Sequence, residues 1–263
     1  MLLGILGYPV GHSLSPRMHE AALRAQGIEG RYLPLETPPE RLSERVEEVR
    51  ARFRGVNVTV PLKEQVLRFL DVLSPAAQAI GAVNTVVNEG GRLFGENTDA
   101  AGFLKSLEEA GVTGTRAFVL GAGGAARAVV YALKTAGYEV DLYNRTRARA
   151  EALARAFGAR VADLTAAREA DLVVNATSVG LGDPKATPLP AEFFPERGFA
   201  VDLVYRPRKT RFLQEAEARG LVPVDGVGML LWQGALAFEL WTGKAAPIEV
   251  MRRVLDDALG SAG

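Results

Sequence analysis

The 263-residue chain contains no cysteine. That rules out a disulfide framework, a thiolate metal site and a cysteine nucleophile. Histidine is scarce as well. His12 and His19 are the only two; they lack the spacing of a zinc site, so both are read as structural and no metal is expected. Charge of one sign is not in excess, with 31 Lys+Arg against 31 Asp+Glu. Nothing therefore predicts a nucleic-acid surface, which needs a basic excess or stripe, although a local basic pocket stays open. No run of about 18 apolar residues occurs, so no membrane span is expected. The opening Met1-Leu2-Leu3-Gly4-Ile5-Leu6-Gly7 is apolar but short, has no basic leader and runs into Tyr8-Pro9. It reads as a buried strand, not a signal peptide, and the expected location is the cytoplasm.

What is present is the profile of a globular protein, 48% hydrophobic and 24% charged. The length suits one large domain or two modest ones. Basic residues are mostly Arg, and Asn and Gln are sparse. This fits a thermophilic source, and biased base composition would account for the arginines equally well.

Short apolar runs alternate with amphipathic helical stretches, the pattern of βαβ units and a parallel sheet. Strands are predicted at residues 2–7, 32–36 and 56–60, the last closed by Pro61. Helices are predicted at 16–26 and 39–52, the second with Leu42, Val46, Val49 and Phe53 at helical spacing. Residues 82–88 and 92–96 flank Glu89-Gly90-Gly91 and predict a hairpin. A helix over 98–110 follows, with Asp99 near its start. A second series holds strands at 117–120, 139–143, 172–175 and 200–203, and helices at 125–136 and 147–157. The Gly- and Pro-rich stretch 180–190 reads as a loop, and helices follow Met229. Two α/β domains are inferred, with a boundary near residues 100–114.

Gly121-Ala122-Gly123-Gly124-Ala125-Ala126 follows an apolar strand and opens a helix. It fits G-x-G-x-x-G/A: Gly121 for a tight turn, Gly123 for close backbone approach to a pyrophosphate, and Ala126 for close helix–strand packing. The helix N-terminus then offers free N–H groups and partial positive charge to phosphate. A plain glycine-rich turn is the alternative, which the flanking strand and helix make weaker. NAD-binding versions carry an acid about 20 residues on, at the tip of the next strand. Here that tip reads Asn144-Arg145-Thr146, with Arg147 and Arg149 behind it. Arg145 would attract a 2′-phosphate where an acid would repel it, so NADP is the expected cofactor. Asp141 lies within the strand and is not read as the ribose ligand.

Three polar clusters fall at strand ends, where open α/β sheets bind ligands. Ser13 and Ser15 follow the first strand and suit a carboxylate, or else cap a helix. Asn57 and Thr59 share one side of the third strand, which leads to Lys63. Asn84, and then Asn97-Thr98-Asp99, complete the set. Singly, Lys63 reads equally as a surface lysine and Asp99 as a helix cap.

Nine segments carry a family resemblance. They are 7–19 (GYPVGHSLSPRMH), 57–63 (NVTVPLK), 80–85 (IGAVNT), 97–99 (NTD), 121–128 (GAGGAARA), 144–146 (NRT), 175–180 (NATSVG), 202–205 (DLVY) and 228–233 (GMLLWQ). In this order the chain resembles shikimate dehydrogenase over nearly its whole length. One departure is Glu20, where the family usually has Asn. The resemblance implies an α/β fold of two domains with a cleft between them that opens and closes. Residues 1–100 plus 237–263 would form a substrate-binding and catalytic domain with a mainly parallel sheet. Residues 101–236 would form a Rossmann-like NADP domain. Lys63 and Asp99 would be the catalytic pair, and Ser13, Ser15, Thr59, Asn84, Tyr205 and Gln233 would join them in binding shikimate or 3-dehydroshikimate. Gly121, Ala122, Gly123, Gly124, Ala125, Asn144, Arg145, Thr146, Arg149, Thr177, Leu203, Gly226 and Met229 would line the NADP site.

The implied reaction is reversible NADPH-dependent reduction of 3-dehydroshikimate to shikimate, in the pathway to chorismate and aromatic amino acids. An unperturbed lysine, with a pKa of about 10.4, is a poor base at neutral pH. Burial would lower it and an ionised Asp99 would raise it, so the two are read as a coupled proton relay. Two rivals are a quinate/shikimate dehydrogenase with relaxed cofactor choice and a silent NADP-binding regulator. Arg145 argues against the first, and intact Lys63 and Asp99 against the second. The sequence leaves room for a homodimer.

Overall fold

The structure, a computed structural model, describes residues 1–260. The chain divides into two compact units, Met1–Asp99 together with the chain from Leu231 onward, and Ala100–Leu230. Unit one holds β1 (Leu2–Gly7), α1 (Ser15–Ala25), β2 (Arg31–Glu36), α2 (Leu42–Arg52), β3 (Gly55–Val58), β4 (Val72–Leu73), α3 (Pro75–Ile80), β5 (Thr85–Glu89) and β6 (Arg92–Glu96). The division falls inside α4 (Thr98–Glu109). Unit two continues with β7 (Arg116–Leu120), α5 (Gly124–Thr135), β8 (Glu139–Tyr143), α6 (Arg147–Phe157), β9 (Arg160–Val161), β10 (Leu172–Asn175), β11 (Phe199–Asp202), α7 (Arg211–Ala218) and β12 (Val222–Val224). Its second limit falls inside α8 (Val227–Thr242), and α9 (Ile248–Gly260) belongs to unit one, where it packs on α1. Among the described residues no helix is long and apolar enough to cross a membrane.

The unit-one sheet runs β2-β1-β3-β5-β6-β4. β1 pairs in parallel with β2 and β3, as does β4 with β6, whereas β5 pairs antiparallel with β3 and β6. β1 is apolar along its length because it is a central strand covered on both faces. Leu42, Val46, Val49 and Phe53 of the α2 stripe pack with Val56 and Val58 of β3 in one core cluster. Asn57, between those valines, points to the opposite face. Glu89 and Arg92 are register partners, so Gly90 and Gly91 make a two-residue hairpin loop. Both have positive φ, 63° and 93°, as the tightest hairpin turns demand. At Gly55 the missing side chain has a different purpose. A Cβ there would collide with the Trp241 indole, whose Nε1–H donates to Val86 O at 2.9 Å.

The unit-two sheet runs β12-β11-β10-β7-β8-β9 and every pair is parallel. Counted within the unit this is the 3-2-1-4-5-6 order of doubly wound dinucleotide folds, whose direction reverses between β7 and β10. Pro34 and Pro223, which cannot donate to a ladder, lie on the edge strands β2 and β12.

Sequence and structure differ at some limits. The strand expected over 56–60 stops at Val58. Pairing with β5 ends at Asn57–Thr85, Leu62 N–H turns back to Thr59 O at 2.9 Å, and Val60 is 57% exposed. The strand expected from residue 82 starts at Thr85, because Val83 N–H is spent on Lys63 O at 2.8 Å. The 39–52 helix opens as a tighter turn over Pro39–Arg41.

Candidate active site

The ends of β3, β5 and β6 and the start of α4 bring Lys63, Asn84 and Asp99 together. Lys63 Nζ lies 2.6 Å from Asp99 Oδ2, with side chains only 12% and 5% exposed. Lys63 is therefore not a surface lysine. Nor is Asp99 a helix cap. The first α4 amides are taken by others: Thr98 N–H donates to Asn84 Oδ1 at 2.7 Å and Asp99 N–H to Asn97 Oδ1 at 3.1 Å. Asn97 is itself anchored by donation from Nδ2 to Ala82 O at 2.9 Å. The Asp99 carboxylate, in the first turn of α4, gains from the helix dipole and faces Lys63.

Asn84 is the hub. Its Nδ2 lies 2.8 Å from Thr98 Oγ1, 3.0 Å from Asp99 Oδ1 and 3.3 Å from Gln233 Oε1 of α8. Its Oδ1 also accepts from Thr85 Oγ1 at 3.1 Å. Behind it, Asn57 Nδ2 donates to Asn84 O and to Thr85 Oγ1, both at 3.1 Å, and Tyr32 donates its hydroxyl to Asn57 Oδ1 at 2.7 Å. Burial pushes the Tyr32 phenol well above its usual range, opposed by a hydrogen bond from Ser15.

Of the other residues expected at the substrate, Ser15 is buried at the start of α1, and Ser13 Oγ accepts its N–H at 3.2 Å. Thr59 is half-buried just beyond β3, its N–H donating to Leu6 O at 2.8 Å. Tyr205 is a half-buried residue of unit two, after β11. His19 is wholly buried, stacked on Tyr32 at 4.6 Å and beside Trp241 at 5.2 Å. Desolvation lowers it to about 3, so it is a neutral ring.

In unit two the glycine turn stands at the switch point. Gly121 has φ +118°, and a Cβ there would lie 2.8 Å from Ala176 O and 3.2 Å from Thr177 Cγ2. A Cβ on Gly123 would meet nothing within 4 Å, so the backbone at the α5 N-terminus is open to a ligand. No side chain caps that terminus, which leaves its first amides available to phosphate. The neighbouring tip of β8, joined to the turn by Gly121 N–H to Tyr143 O at 2.8 Å, carries Asn144, Arg145 and Thr146. Asn144 Nδ2 donates to Thr146 O at 3.0 Å. Arg145 and Arg149 are exposed, and among the described residues neither pairs with an acid. Arg147 pairs with Glu151 at 3.0 Å, and Asp141 is held by Arg160 through two bonds of 2.8 and 3.0 Å. The uncapped α5 amides and the exposed Arg145 cation have the chemistry that an NADP molecule requires of its site.

The sequence reading named Thr177, Leu203, Gly226 and Met229 but missed the buried Asn175, Asp202 and Thr210 bonds behind them. Thr177 Oγ1 donates to Asn175 Oδ1 at 2.7 Å, and Asn175 Nδ2 to Asp202 Oδ1 at 2.9 Å. Thr210 Oγ1 donates to Asp202 Oδ2 at 2.6 Å. Asp202 is fully buried, and desolvation pushes it up to about 6 against these donors. Leu203 N–H donates to Asn175 O at 3.0 Å, and a Cβ on Gly226 would fall 2.5 Å from Leu203 O. Met229 is buried on α8. The available signal was an apolar run ending in an acid, Phe199–Asp202.

Known proteins match this arrangement along the chain. The family model of the shikimate dehydrogenase substrate binding domain matches residues 5–86, that of shikimate / quinate 5-dehydrogenase 104–181, and that of the shikimate 5'-dehydrogenase C-terminal domain 226–255. A shikimate dehydrogenase (NADP(+)) of Thermus thermophilus is 59% identical over 97% of this chain and 98% of its own. A crystal structure of shikimate 5-dehydrogenase from Thermus thermophilus, in complex with NADP(H) and shikimate, superposes with TM-score 0.95 at 58% identity, covering 98% and 100% of the two chains. Quinate dehydrogenase from Corynebacterium glutamicum, in complex with NAD, gives TM-score 0.88 at 33% identity over 98% and 99%. The chain belongs to the shikimate dehydrogenase family.

Proposed function

We propose that this protein is an NADP-dependent shikimate dehydrogenase, reversibly reducing 3-dehydroshikimate to shikimate on the route to chorismate and the aromatic amino acids. The observation that carries the reading is the buried Lys63–Asp99 pair at 2.6 Å, fixed by Asn84. The cofactor, when bound, would supply the redox chemistry: a hydride from NADPH to the carbonyl carbon of 3-dehydroshikimate, returned to NADP+ from the C–OH carbon of shikimate in the reverse direction. The chain's own task is the proton. Lys63 Nζ delivers one to the carbonyl oxygen during reduction and receives it during oxidation. Asp99 holds Nζ in place and accepts from a substrate hydroxyl. Asn84, Gln233, Ser13, Ser15, Thr59 and Tyr205 bind the remaining polar groups. A donor left unpaired in such a buried site costs about 1–3 kcal/mol, so analogues lacking one hydroxyl are disfavoured. Gly121 to Ala125, Asn144, Arg145, Thr146, Arg149, Thr177, Leu203, Gly226 and Met229 hold the dinucleotide. A cytoplasmic setting is part of this reading, as is the lack of a nucleic-acid partner, with which the balanced 31/31 charge accords.

The test is turnover followed by the absorbance of reduced nicotinamide, with shikimate or quinate and NADP or NAD. Shikimate with NADP should be the best pair. No turnover with it would overturn the reading, and a preference for quinate with NAD would move the chain to the quinate branch.

A further inference from the structure

The hydrogen bonds behind Asn84 have a fixed direction. Asn57 Nδ2 faces the Asn84 backbone carbonyl at 3.1 Å, which can only accept. The other end of the Asn57 amide, Oδ1, must therefore face Tyr32, and the Tyr32 hydroxyl must donate across the 2.7 Å contact. Thr85 Oγ1 receives the second Asn57 proton at 3.1 Å and lies 3.1 Å from Asn84 Oδ1, to which it donates, and 3.3 Å from Thr98 Oγ1, with which it also hydrogen-bonds. With its oxygen end engaged by Thr85 and Thr98 N–H, Asn84 is obliged to present Nδ2 to Asp99. Tyr32 and Asn57 are themselves buried and rigidly backed, Tyr32 by the stacked His19 ring.

We propose that Tyr32 is a positioning residue for the reaction: its hydroxyl satisfies Asn57 Oδ1 and holds the Asn57 amide in place, which through Thr85 supports Asn84 against the Asp99 carboxylate. The inference rests on Lys63 and Asp99 being the reacting pair. Removing the hydroxyl leaves Asn57 Oδ1 buried without its donor, so the Asn57 amide shifts, and Thr85 and Asn84, which lean on it, shift with it.

Tyr32→Phe keeps the ring and its stacking. In the full-length enzyme, at a temperature well below Tm, it should lower kcat with shikimate about tenfold and leave KM for NADP unchanged. Asn57→Ala should give a similar loss, and the double variant should be no slower than Asn57→Ala alone, because both act through one chain. A Tyr32→Phe kcat within twofold of the parent, or losses that multiply in the double variant, would overturn the proposal. Should Tyr32→Phe not fold, Thr85→Val interrupts the same chain and should show the same kcat loss; an unchanged kcat there would overturn it equally. Lys63→Ala separates this inference from the reading beneath it. If Lys63→Ala keeps the parental rate, the reacting pair is wrong; if it loses the rate while Tyr32→Phe does not, only the positioning role falls.

Discussion

His19 and Asp202 are both titratable, both buried and displaced in opposite directions with the same chemical result, a preference for the neutral form. Their effects on stability oppose each other. His19 has a folded pKa of about 3 against 6.5 unfolded. Above pH 6.5 it contributes nothing; as pH falls below that value the unfolded chain binds the extra proton and stability is lost. The loss reaches about 2 kcal/mol by pH 5 and about 4 kcal/mol by pH 3. Asp202 has a folded pKa of about 6 against 3.8. Here the folded state binds more protons between those values, so stability falls as pH rises through the window. Above it a penalty of about 3 kcal/mol remains. The two slopes partly cancel between pH 4 and 6, so each must be read as a difference from the parent. Urea unfolding of His19→Phe should show a smaller loss of stability from pH 6.5 to 4 than the parent shows. Asp202→Asn should do the reverse: its advantage over the parent should grow between pH 4 and 6 and then level off. The asparagine can still accept from Asn175 and Val204 and donate to Thr210. Parallel pH profiles for parent and variant would refute the corresponding assignment.

At the scale of elements, the turn between β7 and α5 is where backbone conformation bears on the proposed cofactor site. Gly121 has a conformation that L side chains rarely adopt, and the Ala176 carbonyl closes the space where a Cβ would go. Gly121→Ala should cost about 1–3 kcal/mol of stability and displace the α5 N-terminus from its phosphate position. NADP affinity measured by fluorescence titration should fall at least about tenfold, while shikimate affinity holds. Unchanged NADP binding would mean that the turn does not carry the pyrophosphate. This turn was legible in the sequence because an unbroken row of glycines and alanines joins an apolar run directly to a helix, as close backbone approach to a phosphate requires. The Gly90-Gly91 hairpin was legible because two adjacent glycines supply the positive φ that its turn needs. The two-residue strands β4 and β9 were not, since such short pieces show no alternation. Within the site, Lys63, Asn84 and Asp99 stood at strand ends and could be suspected, but the surface-lysine reading fell only with the burial of Lys63, and the helix-cap reading of Asp99 only once Asn97 and Asn84 were seen to cap α4. Tyr32 lay beyond any sequence signal. It reads as an ordinary strand aromatic, and its role depends on an amide two strands away in the sheet, on β3.

At the scale of the whole molecule the proposed binding residues divide between units, those proposed for the acid mostly in unit one and those proposed for the dinucleotide in unit two. A ligand that binds only the folded chain stabilises it by mass action, by about 2.7 kcal/mol at a hundredfold excess over Kd. Shikimate and NADP should therefore each raise Tm, and single substitutions should remove one effect at a time. Arg145→Ala removes an exposed cation that makes no ion pair among the described residues, so the parent Tm without ligand should be retained. The rise caused by NADP should shrink, that caused by NAD should not, and that caused by shikimate should remain. Lys63→Ala should show the crossed pattern, keeping the NADP rise and losing part of the shikimate rise. It should also lower the ligand-free Tm, since Asp99 is left buried without its cation, at a cost of about 3–5 kcal/mol. If Arg145→Ala diminishes the NADP and NAD rises equally, the 2′-phosphate assignment is wrong. If either variant abolishes both ligand effects, the separation of the two binding tasks between units is wrong.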